Sequence, residues 1–233
     1  MTPTTMRWHD LFGIRAEPPG QAPPAPAPAV RAVGAAFAAL VLAALCCGCT
    51  ALQPPRVEAP NLHVLGVAPA AKVARAKRDL VLEVAAPRAW PGFDTPQMAY
   101  VRQPWEIDYF AASRWADTPA RMLGPLLASA LEQAGSFRAV VQMPTTVAAD
   151  VRIETELIRL QQNFAMQPSR VEIALRVQLI ELRSRRVLGS QLFEESEPAR
   201  SDDAAGGVTA ANLALARLLD RVVDYSIAQA GGG

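Results

Sequence analysis

Histidine and cysteine are almost absent from this chain of 233 residues, which has two of the first and three of the second. Cys46, Cys47 and Cys49 share one four-residue stretch, so no thiol occurs after Cys49. A disulfide scaffold and a cysteine zinc site are therefore excluded from the long C-terminal part. The histidines are His9 and His63, and a lone imidazole finds no Ser–His or Cys–His partnership to enter. Gly-x-Ser-x-Gly does not occur, and Gly206-Gly207 lacks the Lys and the preceding strand that a phosphate loop needs. Charge of either sign is not in excess. There are 23 basic and 22 acidic residues, and removing the part before Cys49 leaves 20 of each. A nucleic-acid binder normally concentrates basic charge on one face, so that class is set aside. Carboxylates are plentiful, yet Glu194, Glu195 and Glu197 before Pro198 read as a solvated strand end, and Asp202-Asp203 as a helix cap. No cofactor or metal site is implied. The expectation is a protein that is not an enzyme.

What the chain does have is an address. Arg31 is followed by 16 uncharged residues, Ala32 to Cys47, and then Gly48-Cys49. A spanning helix needs roughly 20 apolar residues, whereas signal-peptide cores run about 7–15. The run is therefore read as a secretory signal rather than an uncleaved anchor. Its end resembles a bacterial lipobox, in which the thiol of Cys49 receives a diacylglycerol and becomes the new N-terminus. Leu45 stands four residues before Cys49, one further than the usual lipobox places it. Cys46 and Cys47 are poorer acceptors, since Leu45 and Cys46 would then fill the position that wants a small residue. Thr50, not Asp, follows Cys49. That pattern implies the outer membrane, with the protein facing the periplasm. Each buried methylene contributes about 0.8 kcal/mol, and several acyl chains make such anchoring stable where one does not. Upstream, Pro18 to Pro28 form a Pro-rich leader that cannot pack. The expected division is a leader and signal over 1–48, a lipidated Cys49 with a Pro-stiffened tether over 49–60, and one folded domain over 61–230.

Within that domain the periodicity alternates between two and 3.6. Val171 to Leu179 places apolar residues at every second position, one face buried and one wet. Val151, Ile153, Thr155 and Leu157 do the same against Arg152, Glu154 and Glu156. A third strand is expected from about Val187 to Phe193, with Arg183 to Arg186 as the turn of an antiparallel meander. Earlier strands are expected at His63–Val67, Leu80–Ala85, Met98–Arg102 and Ile107–Phe110, the last two joined by a turn at Gln103-Pro104. One helix starts with Thr118 as N-cap and Pro119 at its first position, carries the stripe Leu123, Leu127, Ala130, Leu131 and Ala134, and stops at Gly135. Pro125 should loosen its first turn. A second follows Asp202 or Asp203 towards Gln229, with Val208, Ala211, Leu215, Leu218, Leu219, Val222 and Ile227 inward. The predicted fold is a single-domain two-layer α/β sandwich, its sheet mainly antiparallel or mixed, with two helices on one face.

One window is more specific than these patterns. Tyr100, Tyr109, Trp115-Ala116, Pro119, Leu126-Leu127, Leu131, Gly135, Phe137 and Val140-Val141 reproduce in order a Tyr-rich strand pair, Trp-Ala closely followed by Pro, a Leu-rich helix ending in Gly-x-Phe, and a Val-rich strand. This resembles the ABC-type transport auxiliary lipoproteins, among them the lipoprotein of the paraquat-inducible (Pqi) system. Val101 separates Tyr100 from Arg102 where that family has Tyr and Arg adjacent. The resemblance implies an accessory part of a system built around mammalian-cell-entry (MCE) proteins, moving lipids or other hydrophobic molecules between inner and outer membranes. Its partners would be an MCE-domain protein with an inner-membrane permease and ATPase, and the sheet edges leave room for a homo-oligomer. A periplasmic lipid-binding carrier and an envelope-structural lipoprotein are the alternatives. Exposed loop aromatics can anchor partners. Trp90 and Trp105, each beside a proline, and Trp115 are the candidate partner contacts, although Trp115 is expected mainly to pack over the helix start and the sheet.

Overall fold

The long strand that begins at Val151 organises the molecule. In the computed structural model, which describes residues 59–66, 75–232 and the single position Phe37, this strand runs to Asn163. The leader, Cys49 and the tether up to residue 58 lie outside the described residues. Nine strands form one mixed sheet: β1 (Asn61–His63), β2 (Arg78–Val84), β3 (Arg88–Ala89), β4 (Gln97–Val101), β5 (Asp108–Trp115), β6 (Phe137–Gln142), β7 (Val151–Asn163), β8 (Arg170–Glu181) and β9 (Arg186–Pro198). Two helices, α1 (Pro119–Ala134) and α2 (Ala204–Gln229), complete the described fold.

β8 lies antiparallel along the whole of β7, and β9 antiparallel along β8, so the expected meander is present. The other edge of β7 is shared. Its start pairs in parallel with β2, its middle with β3 and its end with β4. β6 extends the first branch; β5 and then β1 extend the second. α1 packs on β6, β2 and β3, α2 on β8, β9 and β7, and the two helices touch each other.

Period two explains which side is covered. On β8, Val171, Ile173, Leu175, Val177 and Leu179 are all buried, as are Val151, Ile153 and Leu157 of β7. Between Leu157 and Arg159 the β7–β8 register slips by one residue. The bulge flips the alternation, so Leu160 and Gln162 turn inward after it. The covering stripes are Leu123, Leu127 and Leu131 of α1, and Leu215, Leu218, Leu219 and Val222 of α2. Gly207 on α2 lets the helix approach the sheet, because a Cβ there would stand 2.3 Å from Oε1 of the buried Gln162.

The caps differ in how they work. Asp203 accepts the Gly206 N–H at 2.7 Å, and this bond holds its carboxyl below the ordinary carboxylate value. Thr118 has the extended backbone of an N-cap, but its side chain makes no capping bond. Pro119 stands at the first helical position, where its missing N–H costs nothing. α1 runs unbroken past Pro125, whose ring lies on the exposed side. Gly135 ends it in the left-handed conformation at φ 59°.

β9 is longer than its sequence pattern announces and takes in the glutamate run. Glu195 and Glu197 are not a solvated end. They meet Arg217 of α2 at 3.3 and 2.7 Å, and Glu195 also meets Arg221 at 2.6 Å. These bonds, led by the one from Glu197, raise the Arg217 pKa further above its ordinary value.

Candidate partner-binding groove

The face of the sheet away from the helices is wet and laced with ion pairs. Arg152 is bonded to Glu83, Arg176 to Glu156, and Arg159 to Glu194 at 2.7 Å. Its β7 end carries an apolar depression of about 720 Å³. Trp90, Phe93, Trp105, Ile107 and Ile158 supply the apolar lining, and Arg159, Gln161 and Asn163 a polar stretch within it.

Two local devices build the walls. Trp90 donates its backbone N–H to Leu157 at 2.9 Å and opens the 3-10 turn Pro91–Phe93. The Tyr109 hydroxyl donates to the Gly92 carbonyl at 3.0 Å, tying that turn to β5. The second wall is the β4–β5 connection. There Trp105 sits between Pro104 and Glu106 with φ 70° and its side chain fully in solvent, at 104 % of reference exposure. A bulky residue at positive φ is uncommon and marks a functional or strained position.

The polar stretch is organised by Glu172 of β8. Gln161 and Asn163 donate their amides to its two carboxylate oxygens at 3.1 and 3.0 Å. The Arg159 Nε is buried and has no hydrogen-bond partner, its distance to Glu172 being 3.8 Å.

Of the three tryptophans singled out from the sequence, the groove unites two. Trp90 is 46 % exposed, and Trp105 stands on the opposite rim. Trp115 is not part of it. At 4 % exposure it lies in the core, because its place at the end of β5 turns the indole under the sheet and offers a partner nothing. His63 is also inward, its Nε2 buried and without a hydrogen-bond partner, and it joins no cluster. Among the described residues no group of three or more His, Cys, Asp or Glu side chains is placed to hold a metal ion. No helix among them is long and apolar enough to cross a membrane.

Sequence reasoning passed over Ile107 as a site residue, and Phe164 and Met166 altogether. Tyr100, Phe110 and Phe164 form an aromatic cluster with ring centroids 4.9, 5.6 and 6.2 Å apart, joining the β4–β5 hairpin to the β7–β8 turn. The one signal available was the absence of charge from Phe164 to Pro168.

A mixed nine-stranded sheet covered by two helices defines an α/β domain. The comparisons narrow this. The family model described as ABC-type transport auxiliary lipoprotein component matches residues 63–223, and the chain belongs to that family. Protein XCC0632 from Xanthomonas campestris has a similar fold, with TM-score 0.68 and 22 % identity over 73 % of this chain and 97 % of that one. A second crystal structure, of an uncharacterised protein, aligns with TM-score 0.58 and 12 % identity over 72 % of this chain and 99 % of that one. No curated protein shows a significant match to the chain.

Proposed function

We propose that this protein is an outer-membrane lipoprotein, anchored through acyl chains on Cys49, that serves in the periplasm as the auxiliary component of an MCE-type ABC transport system. Such a system moves lipids or other hydrophobic molecules between the two membranes. The observation that carries the reading is the family match, which starts at His63, only 14 positions after the lipobox-like Cys49. In this reading the protein makes and breaks no bond, and ATP hydrolysis belongs to another subunit. Its work is to dock an MCE-domain partner, and the half of the groove beside Trp90 and Phe93 is the surface best suited to it. Exposed tryptophan beside an arginine matches the residue types enriched at interface anchors.

Affinity purification of the membrane-tethered protein tests this. Recovery of an MCE subunit with its permease and ATPase, reduced in Trp90→Ala, is the expected result. Copurified lipid without those subunits would favour a carrier instead. Fractionation of Cys49→Ser tests the anchor separately: a variant still found in the outer membrane would end that part of the reading.

A further inference from the structure

β4 and β7 are parallel and stop side by side, with Val101 opposite Asn163 and the Phe164 N–H donating to the Val101 carbonyl at 2.8 Å. The two connections that follow, Arg102–Ile107 and Phe164–Ser169, therefore project from the same end of the sheet. This tip is apolar. It shows Trp105 wholly exposed, Met166 at 47 % and Ile107 at 38 %, and its charged residues are Arg102 and Glu106. The Arg102 guanidinium lies 5.0 Å from the Tyr100 ring centroid, and Asp108 and Arg170 flank the tip.

The N-terminal approach comes from that end too. β1 is parallel to β5 with Asn61 opposite Ser113, so going backwards from Asn61 the chain heads towards Asp108, at the base of the tip. From Ser113 to Asp108 is about 17 Å of strand. From Cys49 to Asn61 there are 12 residue steps, about 40 Å when fully extended. An anchor on Cys49 can stand no farther than about 40 Å from Asn61, and the tip, about 17 Å away along β5, is within that reach.

We infer that the tip is a second membrane contact, in which Trp105 enters the headgroup region of the lipid bilayer with Met166 and Ile107 beside it. Indole is suited to that boundary because its body is apolar and its N–H stays hydrogen-bonded. The positive φ at Trp105 aims the ring outward and away from the sheet, and the Tyr100–Phe110–Phe164 cluster joins the two loops beneath it. A tip contact within reach of the anchor would fix the orientation of the domain on the membrane. The inference rests on the anchoring proposed above, and the experiment separates the two.

The full acylated protein is placed in phosphatidylethanolamine–phosphatidylglycerol vesicles whose acyl chains carry bromine, and tryptophan quenching is recorded. Wild type and Trp90→Phe should be quenched alike, while Trp105→Phe loses the quenched component. Equal quenching in wild type and Trp105→Phe overturns the inference while leaving the anchor intact. Cys49→Ser is then titrated with the same vesicles. Quenching should reappear at high lipid, and Trp105→Ala should raise the half-saturating lipid concentration roughly 10-fold or more. No quenching of Cys49→Ser at any lipid concentration also overturns it. Loss of vesicle retention in the wild type, with the titration unchanged, would instead sink the anchor alone. Trp105 is wholly exposed, so these variants should fold as the parent does.

Discussion

Arg152 and Ile153 are neighbours in the chain and belong to two different molecules, physically speaking. Ile153 lies under the helices with no exposed surface, whereas Arg152 faces water and holds Glu83. The covered face of β7 and β8 is a continuous apolar sheet matched to Leu-rich stripes. The outer face is a lattice of arginines and carboxylates that gives way to tryptophan and isoleucine towards the groove. Burial stabilises one side. The other is left available for contact, since paired surface charges contribute little to folding.

The difference can be measured from the largest effect downwards. Ile153→Ala should cost about 2–5 kcal/mol in urea unfolding, as expected for a large side chain removed from a sealed core. A loss well under that would mean the helices collapse onto the gap. Arg152→Ala strands the Glu83 carboxylate, whose side chain is only 8 % exposed, and should cost about 1–3 kcal/mol. Adding Glu83→Gln should return much of it; no recovery in the double variant would show the pair is not the cause. Arg176→Ala removes an ion pair whose partners are 50 % and 30 % exposed, and should cost less than about 1 kcal/mol, shrinking further in salt. A larger, salt-insensitive loss would contradict the division between the faces.

The smallest effect concerns pH. The Gly206 N–H, the Ser201 hydroxyl and the Ala205 N–H all favour ionised Asp203, so its folded pKa lies below the ordinary 3.8. A lowered folded value adds stability above 3.8 that disappears as pH falls through the folded value. Asp203→Asn keeps a capping oxygen without the charge. Its melting temperature should therefore decline less than that of wild type as pH drops below 3.8. Parallel curves for the two proteins would show that ionised Asp203 is not linked to folding.

Much of the covered face was legible beforehand. The alternation over Val171–Leu179, the stripe on α2 and the Gly135 stop are local signals, read within one or two turns of chain, and each corresponds to what the structure shows. The β7 bulge left only a faint local mark, the adjacent apolar pair Leu157-Ile158 that interrupts the alternation without a Gly. Its effect, turning Leu160 and Gln162 inward, depends on β8 being alongside. The extent of β9 was missed for a related reason. Glu195 and Glu197 look like solvent residues until Arg217 and Arg221 arrive from a helix some 20 residues later.

The groove divides in the same way. Trp90 and Trp105 drew attention as aromatics beside prolines, but nothing local says that they share a groove or that Trp115 does not. Parallel pairing of β2, β3 and β4 against one edge of β7 decides that. By itself the sequence determined the two faces, the helix stops and the family window around Trp115, all set by periodicity and backbone chemistry within a short span. Only the tertiary structure decided which loops stand together at one end, which tryptophans reach solvent and where the chain arrives from. Those depend on contacts between residues far apart in sequence, and no local pattern encodes them.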